Sequence, residues 1–229
     1  MNNILILGDG LLGTEIRKQT NWDYISRKKD NFNFVEFYTY IKYINNYDTI
    51  LNCIGFTDTY SNDRQSNWNV NYRGVAGLAD YCLKYSKRLI HISTDYVYTY
   101  SKENATEDDV PVHCRNWYGY TKLLADAYIQ LKLHNYLIIR TSFKPNPFPY
   151  HKAITTQKGN FDYVDKIASL IIQLINLKAE GIYNVGTDVK SIYELAVKTK
   201  PDVSKSNEIL DISMPENITM NINKMRNVI

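Results

Sequence analysis

The sequence predicts an α/β fold built on a doubly wound parallel sheet. Three observations lead there. Short apolar runs recur at 4–7, 23–26, 49–54, 88–93, 136–140 and 181–185. Segments of helical spacing stand between most of them. The first run leads directly into a glycine-rich turn, Gly8-Asp9-Gly10-Leu11-Leu12-Gly13. Strands that are apolar throughout imply burial on both faces, which helices on both sides of a parallel sheet provide.

Each element has its own justification. Ile4 to Leu7 is apolar and stops at Gly8, so it reads as a buried strand, and 11–19 reads as a helix. DYIS at 23–26 is the second strand. The aromatic-rich stretch 35–45 fits neither period. TILNCI at 49–54 is the third strand, with a loop at 55–63. Val70, Ala76, Leu78, Ala79, Cys82 and Leu83 suit one long helix over 67–85. RLIHIS at 88–93 is the fourth strand, 94–115 a long polar loop, 117–131 a helix and YLIIR at 136–140 the fifth strand. Pro145, Pro147 and Pro149 stiffen an irregular stretch. Then come an apolar helix at 164–177, a strand at 181–185 and a short helix at 191–199. The tail after Pro201 is more polar and weakly periodic.

Bulk properties narrow the function. The chain has 229 residues and a formal charge of +3, enough for one large domain with a real core and too little charge for a nucleic-acid tail. No apolar run approaches the roughly 18 residues of a membrane span, and the start lacks a signal-peptide pattern. Neither a nucleic-acid nor a membrane partner is expected. Three cysteines without CxxC spacing suit a reducing cytoplasm, and the four scattered histidines offer no metal-ligand pair.

The glycine turn is the first chemical signal. GxGxxG between a strand and a helix lets the backbone approach a pyrophosphate, and the helix start supplies free N–H groups and a positive dipole end. Gly8, Gly10, Leu11, Leu12 and Gly13 are therefore cofactor candidates in a Rossmann-type arrangement. The end of the second strand discriminates between nicotinamide cofactors. An acid there suits the ribose hydroxyls of NAD, and a cation suits the extra phosphate of NADP. Ser26, Arg27 and Lys28 favour NADPH, and Asp30 nearby keeps NADH open.

The second signal is Tyr118-Gly119-Tyr120-Thr121-Lys122. Tyr118 and Lys122 lie four apart at a helix start and share a face. Ser93-Thr94-Asp95 follows the fourth strand, at the sheet end where such folds bind ligands. Tyr118 could pass a proton to or from a carbonyl, Lys122 could favour the phenolate by charge, and Thr94 could orient the carbonyl.

With these elements together, the sequence resembles the extended short-chain dehydrogenase/reductases, and among them the dTDP-4-dehydrorhamnose reductase group. The stretches that carry the likeness are ILILGDGLLG at 4–13, NCIGFTD at 52–58, NVNYRGVAGLADYC at 69–82, LIHISTDYVY at 89–98, EDDVP at 107–111, YGYTKLLAD at 118–126 and LIIRTS at 137–142. The resemblance implies a catalytic set of Thr94, Tyr118 and Lys122, with Tyr118 and Lys122 also reaching the cofactor. It implies that Cys53, Ile54 and Gly55 line the cofactor, and that Thr57, Asp95 and Tyr96 face a nucleotide-sugar substrate. Phe143 stands where a Trp is common, and Asn71 matches a helix position that can be structural. The implied reaction is NADPH-dependent reduction of the 4-keto group of a nucleotide-linked 4-keto-6-deoxyhexose.

The chain is short for this group. We therefore expect a dinucleotide-binding domain of 1–142 with 161–185, and a small, shortened substrate lobe of 143–160 with 186–229. A homodimer is plausible from the resemblance. Two alternatives stay open. One is a bifunctional 3,5-epimerase/4-reductase, with Cys53, His113 and Cys114 as candidate proton carriers. The other is a non-catalytic NADP-binding regulatory subunit.

Overall fold

The computed structural model describes residues 3–109, 116–208, 210–211 and 213–229. Five strands appear in sequence order as β1 (Ile4–Leu7), β2 (Asp23–Ile25), β3 (Thr49–Asn52), β4 (Arg88–Ile92) and β5 (Tyr136–Thr141), and a sixth is Gly181–Val185. They form one parallel sheet. From one edge it runs Gly181–Val185, β5, β4, β3, β1, β2. The chain steps outward from β1 to β2 and then crosses back to β3. The crevice between β1 and β3 is thus the switch point where such sheets bind ligands.

Both faces are covered. On one, α1 (Leu11–Gln19) and the Val164–Asn176 helix close a core of Ile6, Ile16, Leu51, Ile90, Ile167 and Ile171. On the other, the Gly74–Lys84 and Trp117–Lys132 helices bring Val75, Leu78, Ala125 and Ile129 onto Leu5, Leu7, Ile50 and Ile138. The α/β, doubly wound parallel architecture is therefore the one expected.

Several elements differ from the sequence reading. The long helix over 67–85 is divided: a short helix at Arg64–Ser66, a π-helical stretch at Asn67–Arg73, then Gly74–Lys84. Asn71 explains the wider turn. Its Oδ1 accepts from Phe56 N–H at 2.8 Å and its Nδ2 donates to Phe56 O at 3.0 Å. The residue is structural and ties the loop after β3 to the helix. The segment 35–45 becomes two single turns, Phe37–Thr39 and Ile41–Ile44, anchored by fully buried Tyr40. The expected polar loop after β4 opens with a helical turn, Asp95–Tyr98, capped by Thr94.

The C-terminal third adds a small lobe. Its strands pair in short ladders, Lys152–Ile154 with Ser204–Ser206, and Lys158–Gly159 with both Lys190–Ser191 and Asn217–Ile218. A separate core of Phe148, Phe161, Ile192, Leu195 and Ile218 holds it together. The chain end returns to the first core through Met220, Ile222 and Met225. Among the described residues, no helix is long and apolar enough to cross a membrane.

Candidate active site

A cleft of about 810 Å³ runs from the switch point to the lobe. Its floor at one end is the glycine turn. Gly8 has φ of +100°, a conformation that L side chains rarely adopt, and a Cβ at Gly13 would run into the Gly8 carbonyl oxygen. These two glycines shape the turn from behind. Gly10, Leu11 and Leu12 face the cleft, and around Gly10 there is open space. Gly10 caps α1 without a side-chain hydrogen bond, so the first-turn amides are free for an anion. This cradle fits a dinucleotide pyrophosphate. Cys53, Ile54 and Gly55 form the adjoining wall.

The strand-end residues chosen for cofactor selection lie outside this lining. Ser26 is buried, and its hydroxyl accepts from Lys29 N–H at 3.1 Å to cap the Arg27–Asp30 turn. Asp30 closes the same turn by accepting from Ser26 N–H at 2.9 Å. Arg27 and Lys28 are exposed.

Thr94, Asp95, Tyr96, Tyr118 and Lys122 share the cleft wall with Thr57 and Phe143. Asn116 presents Tyr118 by capping its helix, accepting from Gly119 N–H at 2.7 Å. Burial pushes the Tyr118 phenol up to about 12, and the Thr94 hydroxyl beside it opposes that shift. Thr94 Oγ1 donates to Asp95 Oδ1 at 3.2 Å and accepts from Tyr96 N–H at 3.2 Å.

Lys122 lines the cleft and also reaches the sheet beneath it. Its Nζ donates to Ile92 O at 2.6 Å and lies 3.1 Å from His91 Nε2, turned toward the sheet. Burial lowers it to about 8.

The lobe end of the cleft, beside Asp95 and Tyr96, also holds Tyr60, Lys144 and Gln157, which the sequence did not single out. Burial pushes Asp95 up to about 7, with Lys144 pulling the other way, and Asp95 Oδ2 is buried without a hydrogen-bond partner. Tyr60 and Tyr96 hydroxyls meet at 2.6 Å, and Gln157 Nε2 donates to Tyr96 at 3.3 Å. Tyr60 could have been suspected from its place in the loop after β3. Lys144 and Gln157 lie in irregular sequence with no motif to mark them. His113 and Cys114 lie outside the described residues. Cys53, the remaining candidate epimerisation group, has its thiol raised to about 12 by burial, which favours the unreactive thiol.

A doubly wound sheet with a glycine turn at its switch point, and Thr94, Tyr118 and Lys122 along one cleft, defines an extended short-chain dehydrogenase/reductase. Comparison with known proteins specifies the branch. Residues 1–144 match the RmlD substrate binding domain, and the chain belongs to that family, the dTDP-4-dehydrorhamnose reductase group of NAD(P)-dependent oxidoreductases. It is 24% identical over 240 residues to the spore coat polysaccharide biosynthesis protein SpsK of Bacillus subtilis, covering 94% of this chain and 84% of SpsK. It is 28% identical over 160 residues to a dTDP-4-dehydrorhamnose reductase of Aggregatibacter actinomycetemcomitans, covering 62% of this chain and 53% of that protein. The crystal structure of the dTDP-4-dehydrorhamnose reductase of Bacillus anthracis in complex with NADP superposes with a TM-score of 0.84 at 20% identity, covering 99% of this chain and 92% of that one.

Proposed function

We propose that the protein reduces the 4-keto group of a nucleotide-linked 4-keto-6-deoxyhexose with NADPH. The observation that carries this reading is the single cleft linking the anion cradle of α1 to Tyr118 and on to the lobe. Gly10, Leu11 and Leu12 would hold the cofactor pyrophosphate, with Gly8 and Gly13 shaping the turn. Cys53, Ile54 and Gly55 would line its inner part. Exposed Arg27 and Lys28 would meet the 2′-phosphate. Asp30, the acid that keeps NADH open, is engaged with Ser26 N–H, which supports the NADPH choice. When bound, the nicotinamide supplies the hydride.

The remaining steps belong to the protein. Thr94 would re-aim its O–H from Asp95 to the keto oxygen. Tyr118 would then give its proton to that oxygen as negative charge develops there. A phenol held near 12 keeps its proton at neutral pH, as an acid in this direction requires. Thr57, Asp95, Tyr96 and Phe143 would face the sugar, and the lobe would grip the nucleotide. The test is NADPH oxidation against dTDP-, UDP- and GDP-linked 4-keto-6-deoxyhexoses, with NADH in parallel. Binding of NADPH without turnover on any of them would favour the regulatory-subunit alternative.

A second reading adds epimerisation, and Asp95 favours it. A carboxyl titrating near neutrality beside Lys144 could move protons on carbons flanking the ketone. Deuterium uptake at those carbons without NADPH would support it, and its absence would leave the reductase alone.

A further inference from the structure

Two buried polar residues beneath Lys122 have no part in the reading above. Asn52 and His91 are neighbours in register on β3 and β4, and both are fully buried. Their hydrogen bonds have a fixed starting point. The backbone N–H of Ile54 can only donate, and it donates to Asn52 Oδ1 at 3.0 Å. The amide is therefore oriented with Nδ2 toward His91, 3.2 Å from Nδ1. An amide NH₂ offers no lone pair, so Nδ1 must accept and the ring proton belongs on Nε2. Nε2–H then points at Lys122 Nζ, 3.1 Å away. An ammonium has no lone pair either, and only the neutral amine can accept there. The bond from Nζ to Ile92 O can be made by either form.

We infer that Asn52 and His91 are positioning residues forming a relay that biases Lys122 toward its uncharged amine. The opposite arrangement fails at one contact. A charged Lys122 needs a bare Nε2 and a proton on Nδ1, and Nδ1–H would then face the Asn52 NH₂, donor against donor in a dry site. Burial acts in the same sense, lowering both Lys122 and His91. The groups around Lys122 come from three elements. Cys53 follows β3, His91 lies on β4, and Tyr118 and Asp126 lie one turn to either side on its own helix. Asp126 and Cys53 favour the ammonium and oppose the relay. The functional consequence rests on the proposed reductase activity. The Lys122 charge is what would steady Tyr118 after it gives up its proton. Turnover should then fall on the alkaline side, at a pH the relay sets.

The test uses ligand-free protein, so it stands apart from any substrate. Histidine ring nitrogens and lysine side-chain carbons are followed by NMR from neutral to alkaline pH. Above the Lys122 midpoint, His91 should carry its proton on Nε2 with Nδ1 bare. Asn52→Asp supplies an acceptor at Nδ1, and should move the ring proton there and raise the Lys122 midpoint by about one pH unit or more. Asn52→Leu removes the opposing donor without adding charge and should raise it by less. A proton on Nδ1 in the wild type at alkaline pH overturns the relay, as does an unmoved midpoint in Asn52→Leu. If either variant fails to fold, the wild-type tautomer alone decides. In NADPH oxidation the alkaline limb should move with the midpoint. The NMR result without turnover on any 4-keto sugar would sink the reductase reading and leave the relay standing.

Discussion

Arg140→Met should be the most damaging single change outside the cleft. Arg140 lies on β5 and Asp126 on the helix that carries Tyr118 and Lys122, with Nε and Oδ2 3.1 Å apart and side chains only 4% and 0% exposed. At an effective dielectric near 20, that separation corresponds to about 5 kcal/mol of attraction. Arg140 also donates to Tyr98 Oη at 2.6 Å and Glu107 O at 3.1 Å. Asp126 Oδ1 already lacks a partner, so removing the guanidinium leaves a buried carboxylate with nothing to replace it. We expect a loss of about 3–5 kcal/mol. The double variant Asp126→Leu/Arg140→Met should recover most of it, because the desolvation cost vanishes with the charges. Urea unfolding of the wild type, both single variants and the double variant measures this cycle. A loss under about 1 kcal/mol for Arg140→Met, or a double variant as unstable as the sum of the singles, would refute the reasoning.

Three further outcomes follow from the site. Gly13→Ala should weaken NADPH binding about tenfold or more, because its Cβ would push on the Gly8 carbonyl; calorimetric titration checks it. Arg27→Ala combined with Lys28→Ala should raise KM for NADPH and leave that for NADH nearly unchanged, as steady-state kinetics with both cofactors would reveal. Asp95 has a folded value near 7, above the unfolded value near 4, so the folded state holds its proton more tightly across that window. Its stabilising contribution is full below the unfolded value and is lost as pH rises through 7. Asp95→Asn should therefore gain on the wild type, by a few kcal/mol at most, between pH 4 and 7; parallel melts that never diverge would count against the assignment.

The parallel sheet was legible because its strands are short, apolar and punctuated, as at Ile4–Leu7 before Gly8. The anion cradle was legible because glycine spacing reports backbone geometry directly. Thr94, Tyr118 and Lys122 line one cleft, the convergence that chain order and strand ends suggested. What escaped depends on contacts between distant segments. The π-helical stretch follows from Asn71 reaching Phe56, which leaves no periodic trace. Lys144 and Gln157 enter the cleft from segments whose two- and three-residue ladders are too short for any period. Lys122 meets His91 and the Ile92 carbonyl through the packing of its helix on β4, a contact that no sequence spacing records.

Proton donation by Tyr118 in an NADPH-dependent carbonyl reduction is the core of the proposed function. The most direct measurement is NADPH oxidation with a dTDP-linked 4-keto-6-deoxyhexose by the wild type and by Tyr118→Phe, with NADPH affinity measured for both. We expect turnover by the wild type, a fall in kcat of about 10²–10⁴-fold in the variant, and unchanged cofactor affinity. Equal turnover by the two proteins would contradict it.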